Sequence, residues 1–260
     1  MNNMDNMLKE EQLLQRRFHD LAHAAERKTI PLFTDSLNLH EQDLFLRMKN
    51  QLPGIKYFSS GGYDKAERKM LCFCGNQDIE DKAGIAYPIA CLHITPINHK
   101  FSDSLTHRDI LGAVLNLGID RSKVGDILLD SNEAYLFCHS TIQGFITDEL
   151  SRIKHTSVKT SIIERQDFVY KPNLKEITGT VTSVRLDSIL AIAFKGSRSS
   201  LSGLIAGGKV FVNSKSILSN SHILKENDIV SVRGYGKFIY GGTTNQTKKG
   251  RYSIKILLYQ

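Results

Sequence analysis

The chain has 260 residues, 41% hydrophobic and 23% charged, with a formal net charge of +7. That length allows two or three domains with cores of their own, and the composition is ordinary for a globular protein. No run approaches the ~18 apolar residues of a membrane-spanning helix. The first residues, Met1-Asn2-Asn3-Met4-Asp5, lack an apolar signal core, and four cysteines are too few for a disulfide framework. A cytoplasmic protein is expected, with no internal repeat and no low-complexity tract.

Residues 1–75 read as mainly helical. Leu13, Leu14, Phe18, Leu21 and Ala25 recur at helical spacing between charged residues. A second helix is predicted from His40 to Lys49, with Leu44, Phe45 and Met48 inward and Pro53-Gly54 ending it. Gly61-Gly62 marks a turn, and Met70 to Cys74 a short strand. In residues 76–170 the periods alternate. Ile89 to Ile97 is a strand, Leu105 to Leu117 a helix, and Asp126–Leu129 with Ala134–Cys138 a strand pair about the turn Asp130-Ser131-Asn132. Thr141 to Ile153 is helical and Ser157 to Ile163 a strand. The order β-α-β-β-α-β is that of a ferredoxin-like (RNA-recognition-motif-like) domain.

Lys171-Pro172-Asn173 breaks the pattern, and residues 177–260 form the last predicted domain. A strand from Ile177 to Val184 leads into a helix from Arg185 to Phe194. Ser197 is a natural cap for a second helix, which Gly207-Gly208 ends. Strands at Val210–Val212 and Asp228–Arg233 follow, then a hairpin of Phe238–Tyr240 with Tyr252–Tyr259. Between them Thr243–Thr247 reads as a mobile hairpin tip flanked by Lys248 and Lys249. The fold class is therefore α+β throughout.

Charge is distributed unevenly. From Val181 onward there are twelve Lys and Arg against three acids, a net +9, while the preceding residues sum to −2. A folded block this basic is the footprint of a polyphosphate-binding module. Its order of residues resembles the S4 RNA-binding domain. The carriers are Arg185-Leu186-Asp187, Leu190, Ser197-Arg198-Ser199, Ile205, Gly208, Val210, Val212-Asn213 and Asp228 to Arg233. Ser214 and Asn227 stand where that family usually has glycine, both at turns that Ser or Asn can enter at some cost of positive φ. Helix starts attract phosphate, and Arg can grip it bidentately. The expected RNA-binding set is Arg185, Arg198, Ser199, Lys209, Asn213, Lys215, Arg233 and Lys237, with His107, Arg108, Lys248 and Lys249 as secondary contacts. Asp187 is expected to be a structural partner for a nearby Arg or backbone N–H and not an RNA contact.

Leu105-Thr106-His107-Arg108-Asp109-Ile110-Leu111-Gly112, continuing to Gly125-Asp126-Ile127, combines with Gly61-Gly62-Tyr63 and Ala66-Glu67-Arg68 upstream. Over nearly the full length the chain resembles the YlmH family of bacterial S4-domain proteins. The resemblance implies a cytoplasmic protein bound to rRNA of the large ribosomal subunit, and to tRNA, in rescue or quality control of stalled translation. It also carries a cell-division label of little mechanistic weight.

No catalytic centre, cofactor or metal is expected, and the protein is expected to be a monomer. His107-Arg108-Asp109 lacks the later Asn of a kinase loop, since that position is Val114. As a helix start, Thr106 can cap and Asp109 can complement the dipole. Cys72, Cys74, Cys91 and His93 lie in strands without the turn spacing of zinc ligands. Tyr135 and Phe137 share a strand face that reads as core. The alternative functions are an RNA-modifying enzyme, for which neither a synthase motif nor a Gly-rich loop is present, and a cell-division interaction protein.

Overall fold

Leu14, Phe18, Leu21, Ala22 and Ala25 repeat at helical spacing, and in a computed structural model of the chain they form the inner stripe of α1 (Asn2–Lys28). Leu13, by contrast, faces solvent. The structure describes residues 2–75, 79, 84–98, 102–164, 168, 172–247 and 250–259, and side chains from residue 8 onward. They belong to two units, Met1–Tyr170 and Lys171–Gln260.

In the first unit, α1 is followed by β1 (Pro31–Phe33), α2 (Leu39–Met48), β2 (Lys56–Ser60) and β3 (Met70–Cys74). Asn38 starts α2 with a reciprocal capping box to Glu41. The strands form an antiparallel sheet in the order β1-β3-β2. Only β3 was expected from the sequence, because three-residue β1 is too short to show a period. Phe73 of β3 meets Phe45 of α2 and Tyr57 of β2 edge-on at 5.9 and 5.5 Å, an arrangement that binds helix to sheet through the ring quadrupoles.

The same unit continues through β4 (Ile89–Pro96), α3 (His107–Asn116), β5 (Val124–Asp130), β6 (Glu133–His139), α4 (Gln143–Glu149), β7 (Arg152–Ile153) and β8 (Thr156–Ile163). The sheet order is β5-β6-β4-β8-β7, all antiparallel. The first strand lies between the third and fourth, as the ferredoxin-like reading requires. The helix predicted to Ile153 stops at Glu149, because Arg152-Ile153 pairs with Thr156-Ser157 instead. Ile110 and Val114 of α3 and Ile146 of α4 pack on Leu92, Ile94, Leu136 and Val158. On the opposite face Phe137 is 2% exposed, between Tyr63 and Phe168 with centroids at 4.8 and 5.0 Å. Gly62, at φ +96°, makes this possible, since a Cβ there would come within 2.6 Å of the Phe137 ring.

The second unit contains β9 (Leu174–Val181), α5 (Leu186–Ala193), α6 (Arg198–Ala206), β10 (Val210–Val212), β11 (Lys215–Ser216), β12 (Ile229–Val232), β13 (Gly236–Gln246) and β14 (Tyr252–Tyr259). Its sheet order is β11-β10-β12-β13-β14-β9. Leu186, Ile189, Leu190, Leu201 and Ile205 of the two helices share a core with Val210, Val230, Phe238 and Ile254. Thr243–Gln246 belongs to β13 and not to a hairpin tip. Register shifts beside Gly241-Gly242 let the strand bend and continue. Lys248 and Lys249 lie outside the described residues.

Both departures from glycine carry the backbone cost expected of them: Ser214 has φ +68° and Asn227 φ +70°. A left-handed L-residue costs roughly 1–2 kcal/mol, and glycine loses ~0.5–1 kcal/mol more backbone entropy on folding. Ser214→Gly should therefore raise stability by about 0.5–1 kcal/mol. A thermal midpoint that fails to rise would contradict this.

Candidate nucleic-acid interface

The start of α6 is open. Ser197 caps it by accepting from the Ser200 N–H at 3.2 Å, and its hydroxyl also contacts those of Ser199 and Ser200 at 3.0 Å each. Arg198 is the first helical residue and exposed. Its N–H and that of Ser199 precede the capped one and have no carbonyl within the helix to meet. From Arg198 the outward positions run through Ser199, Gly203 and Ala206, all small and exposed. A Cβ added at Gly203 would meet nothing within 4 Å. A polyanion can therefore approach the helix backbone itself.

Lys209 stands just past the other end of α6. Its N–H donates to Leu204 O at 2.9 Å and its carbonyl accepts the Arg233 N–H at 2.9 Å. Arg198 and Lys209 thus bracket the helix, which is about 13 Å long at 1.5 Å per residue, with Arg233 beside Lys209. Lys215 pairs with Val212 across the β10–β11 turn, on the sheet face that carries the helices. Arg198, Lys209, Lys215 and Arg233 are exposed and form no ion pair among the described residues. Lys195, at the left-handed position between α5 and α6, is also exposed, and the sequence reading did not single it out.

The other expected residues are engaged within the protein. Arg185 grips Asp187 through Nε–Oδ1 at 3.2 Å and Nη2–Oδ2 at 3.3 Å. Leu186 and Asp187 donate their N–H groups to the carbonyls of His222 and Asn220. Of the two helix starts, that of α5 is therefore already filled. Asn213, at φ +50°, donates to Asp228 Oδ1 at 2.8 Å and accepts the Ile229 N–H at 3.0 Å. Its amide holds the turn to β12. Lys237 lies on the sheet face away from the helices, its Nζ 4.5 Å from the Tyr259 ring centroid, a cation–π contact.

In the first unit His107 and Arg108 open α3. Thr106 and Asp109 form a reciprocal capping box, and Lys154 reaches Asp109 at 2.7 Å. Hydrogen bonds from Lys154 and Thr106 hold the Asp109 carboxyl down at about 2, so the cap stays anionic into strong acid. Desolvation, then the nearby Arg121 charge, keeps the His107 imidazole below its ordinary range. It offers a hydrogen bond at neutral pH and not a charge.

Asp126 has a role the sequence did not disclose. Its carboxylate accepts the Tyr63 hydroxyl at 2.7 Å, the Glu67 N–H at 2.7 Å and the Arg68 N–H at 2.9 Å. The Arg68 side chain donates to the carbonyls of Val124, Ser36 and Arg121. The four cysteines are buried, and burial pushes the thiols of Cys72, Cys91 and Cys138 up to about 12, far from nucleophilic. Among the described residues no cluster of three or more His, Cys, Asp or Glu could hold a metal, and no helix is long and apolar enough to cross a membrane.

The segment that carries the bracketed helix matches a known family. Residues 184–230 match the S4 domain, and residues 86–167 match the RNA-binding domain proposed for YlmH. Together they define an RNA-binding protein of the S4-domain class. The chain is similar to the YlmH-type proteins of that class. It is 28% identical over 226 residues to the ribosome-associated protein quality control protein P2 of Bacillus subtilis (strain 168), spanning 85% of this chain and 84% of that one. The solved structure of the cell division protein ylmH from Streptococcus pneumoniae is 23% identical, with a TM-score of 0.49, over 62% of this chain and 95% of that one.

Proposed function

We propose that this chain docks on structured RNA of the large ribosomal subunit through the outer face of α6 and acts, without catalysis, in rescue or quality control of stalled translation. The observation that carries the reading is the set of exposed, unpaired cations around one open helix. Arg198 and Ser199 receive one phosphate at the helix start, and Lys209 with Arg233 another at its end. Lys215 extends the track along the sheet edge. The small residues between them let a ribose-phosphate backbone lie against the helix, a recognition of shape and phosphate suited to A-form RNA. Arg185 and Asn213 hold this surface in place, and Lys237 lies off it. The quality-control relative supports the setting, and residues 1–170 direct where on the particle the basic face is delivered. tRNA beside that site is a second partner.

The experiment is sedimentation of a tagged chain on a sucrose gradient at low salt. The chain should travel with the large subunit. Its absence from every ribosomal fraction would contradict the docking.

A further inference from the structure

We propose that the groove between α3 and the α4–β8 connection seats one unpaired nucleotide of single-stranded RNA, its phosphate held between Arg108 and Arg152. This rests on the reading of the chain as an RNA-binding protein and assigns a second site, remote in sequence from α6. The groove encloses about 480 Å³, within the range of small-ligand sites. All of its lining falls inside the segment that matches the YlmH RNA-binding domain.

The lining has the mixed character a nucleotide needs. Gly112, Ala113 and Leu150 contribute an apolar floor on which a base can lie. Arg108 and Arg152 stand at the rim, exposed and in no ion pair among the described residues. Their planar guanidinium groups match phosphate oxygens. Asn116 and Glu149 bring an amide and an acceptor for the edge of a base. Those edges are free only on an unpaired nucleotide, which is why a single strand is the fitting ligand.

Lys154 has a different part. It sits at φ +54° in the turn between β7 and β8 and is tied to Asp109. It fastens this wall of the groove to α3 and leaves the phosphate to the two arginines. Gly112 is the clearest sign that the floor is kept open. It lies inside a helix, where glycine is costly. Its backbone is not left-handed, and a Cβ there would meet nothing within 4 Å. Neither backbone nor internal packing calls for glycine at this position.

The test uses the full chain with Gly112→Leu, which fills the floor and improves helix propensity, and separately Arg152→Ala. Fluorescence anisotropy is read with a labelled short single-stranded RNA of mixed sequence and, in parallel, with a labelled RNA hairpin. Both variants should bind the single strand about tenfold more weakly, a loss typical of one lost nucleotide contact, with hairpin binding unchanged. Crosslinks from thiouridine-bearing single strands should fall in residues 108–117 or 149–154. Unchanged single-strand affinity in folded Gly112→Leu would overturn the proposal. So would competition by free cytidine monophosphate as strong as by RNA, which would make the ligand a mononucleotide. Hairpin binding that ignores Arg198→Ala would sink the α6 reading while leaving the groove to its own arm.

Discussion

Replacing Asp126 with Ala lowers the stability of the first unit by about 3 kcal/mol. Three donors lose their shared acceptor at once: the Tyr63 hydroxyl and the N–H groups of Glu67 and Arg68. Hydrogen bonds to a charged group are worth ~1.5–3 kcal/mol each. Water reaches the part-buried carboxylate to some extent, so the sum is discounted. A second loss adds to it. Burial already lowers the Arg68 pKa, and Asp126 is among the acids that offset this. Without Asp126 the desolvated cation is less well compensated. The Asn variant keeps one acceptor oxygen and should cost about half as much. Urea unfolding followed by far-ultraviolet circular dichroism measures both, and a loss under about 1 kcal/mol for Asp126→Ala would contradict this role.

Much of the fold was legible because local rules agreed with tertiary need. Thr106 and Ser197 announced α3 and α6, and the caps are there. The alternation of periods from Ile89 to Ile163 disclosed a ferredoxin-like order, since each strand buries one face against helices. What failed was short or non-local. β1 has three residues, and β7 has two and borrows its stability from β8. Asp126 meets partners 58 to 63 residues away, a separation no linear pattern reveals. The groove is likewise assembled from two distant elements. At the basic surface, composition identified the unit and motif order identified its helices. It marked Asp187 as a structural partner but not that Arg185 is the side chain it holds, nor that Asn213 is held by Asp228 and Lys237 by Tyr259, because internal employment of a polar side chain depends on the packed geometry.

Neutralising Arg198, Lys209 and Lys215 together should weaken structured-RNA binding about 100-fold near physiological salt, taking roughly 1 kcal/mol per lost phosphate contact. None of the three is in an ion pair among the described residues, so their removal strands no buried partner. The fold should survive with a change of ~0.5 kcal/mol or less. Arg185→Ala is expected to behave differently. It frees Asp187 and disturbs the start of α5, so stability falls before affinity does.

The central claim is that exposed cations around α6 bind RNA by displacing counterions from its phosphates. The most direct test is the dissociation constant of an RNA hairpin across a salt series, for the native chain and for the Arg198/Lys209/Lys215 triple alanine variant. Each phosphate neutralised on a duplex contributes about −0.9 to the slope of log affinity against log salt. The triple variant should therefore bind more weakly, with a slope shallower by roughly 2 to 3. A folded triple variant whose affinity and slope equal those of the native chain would contradict the account.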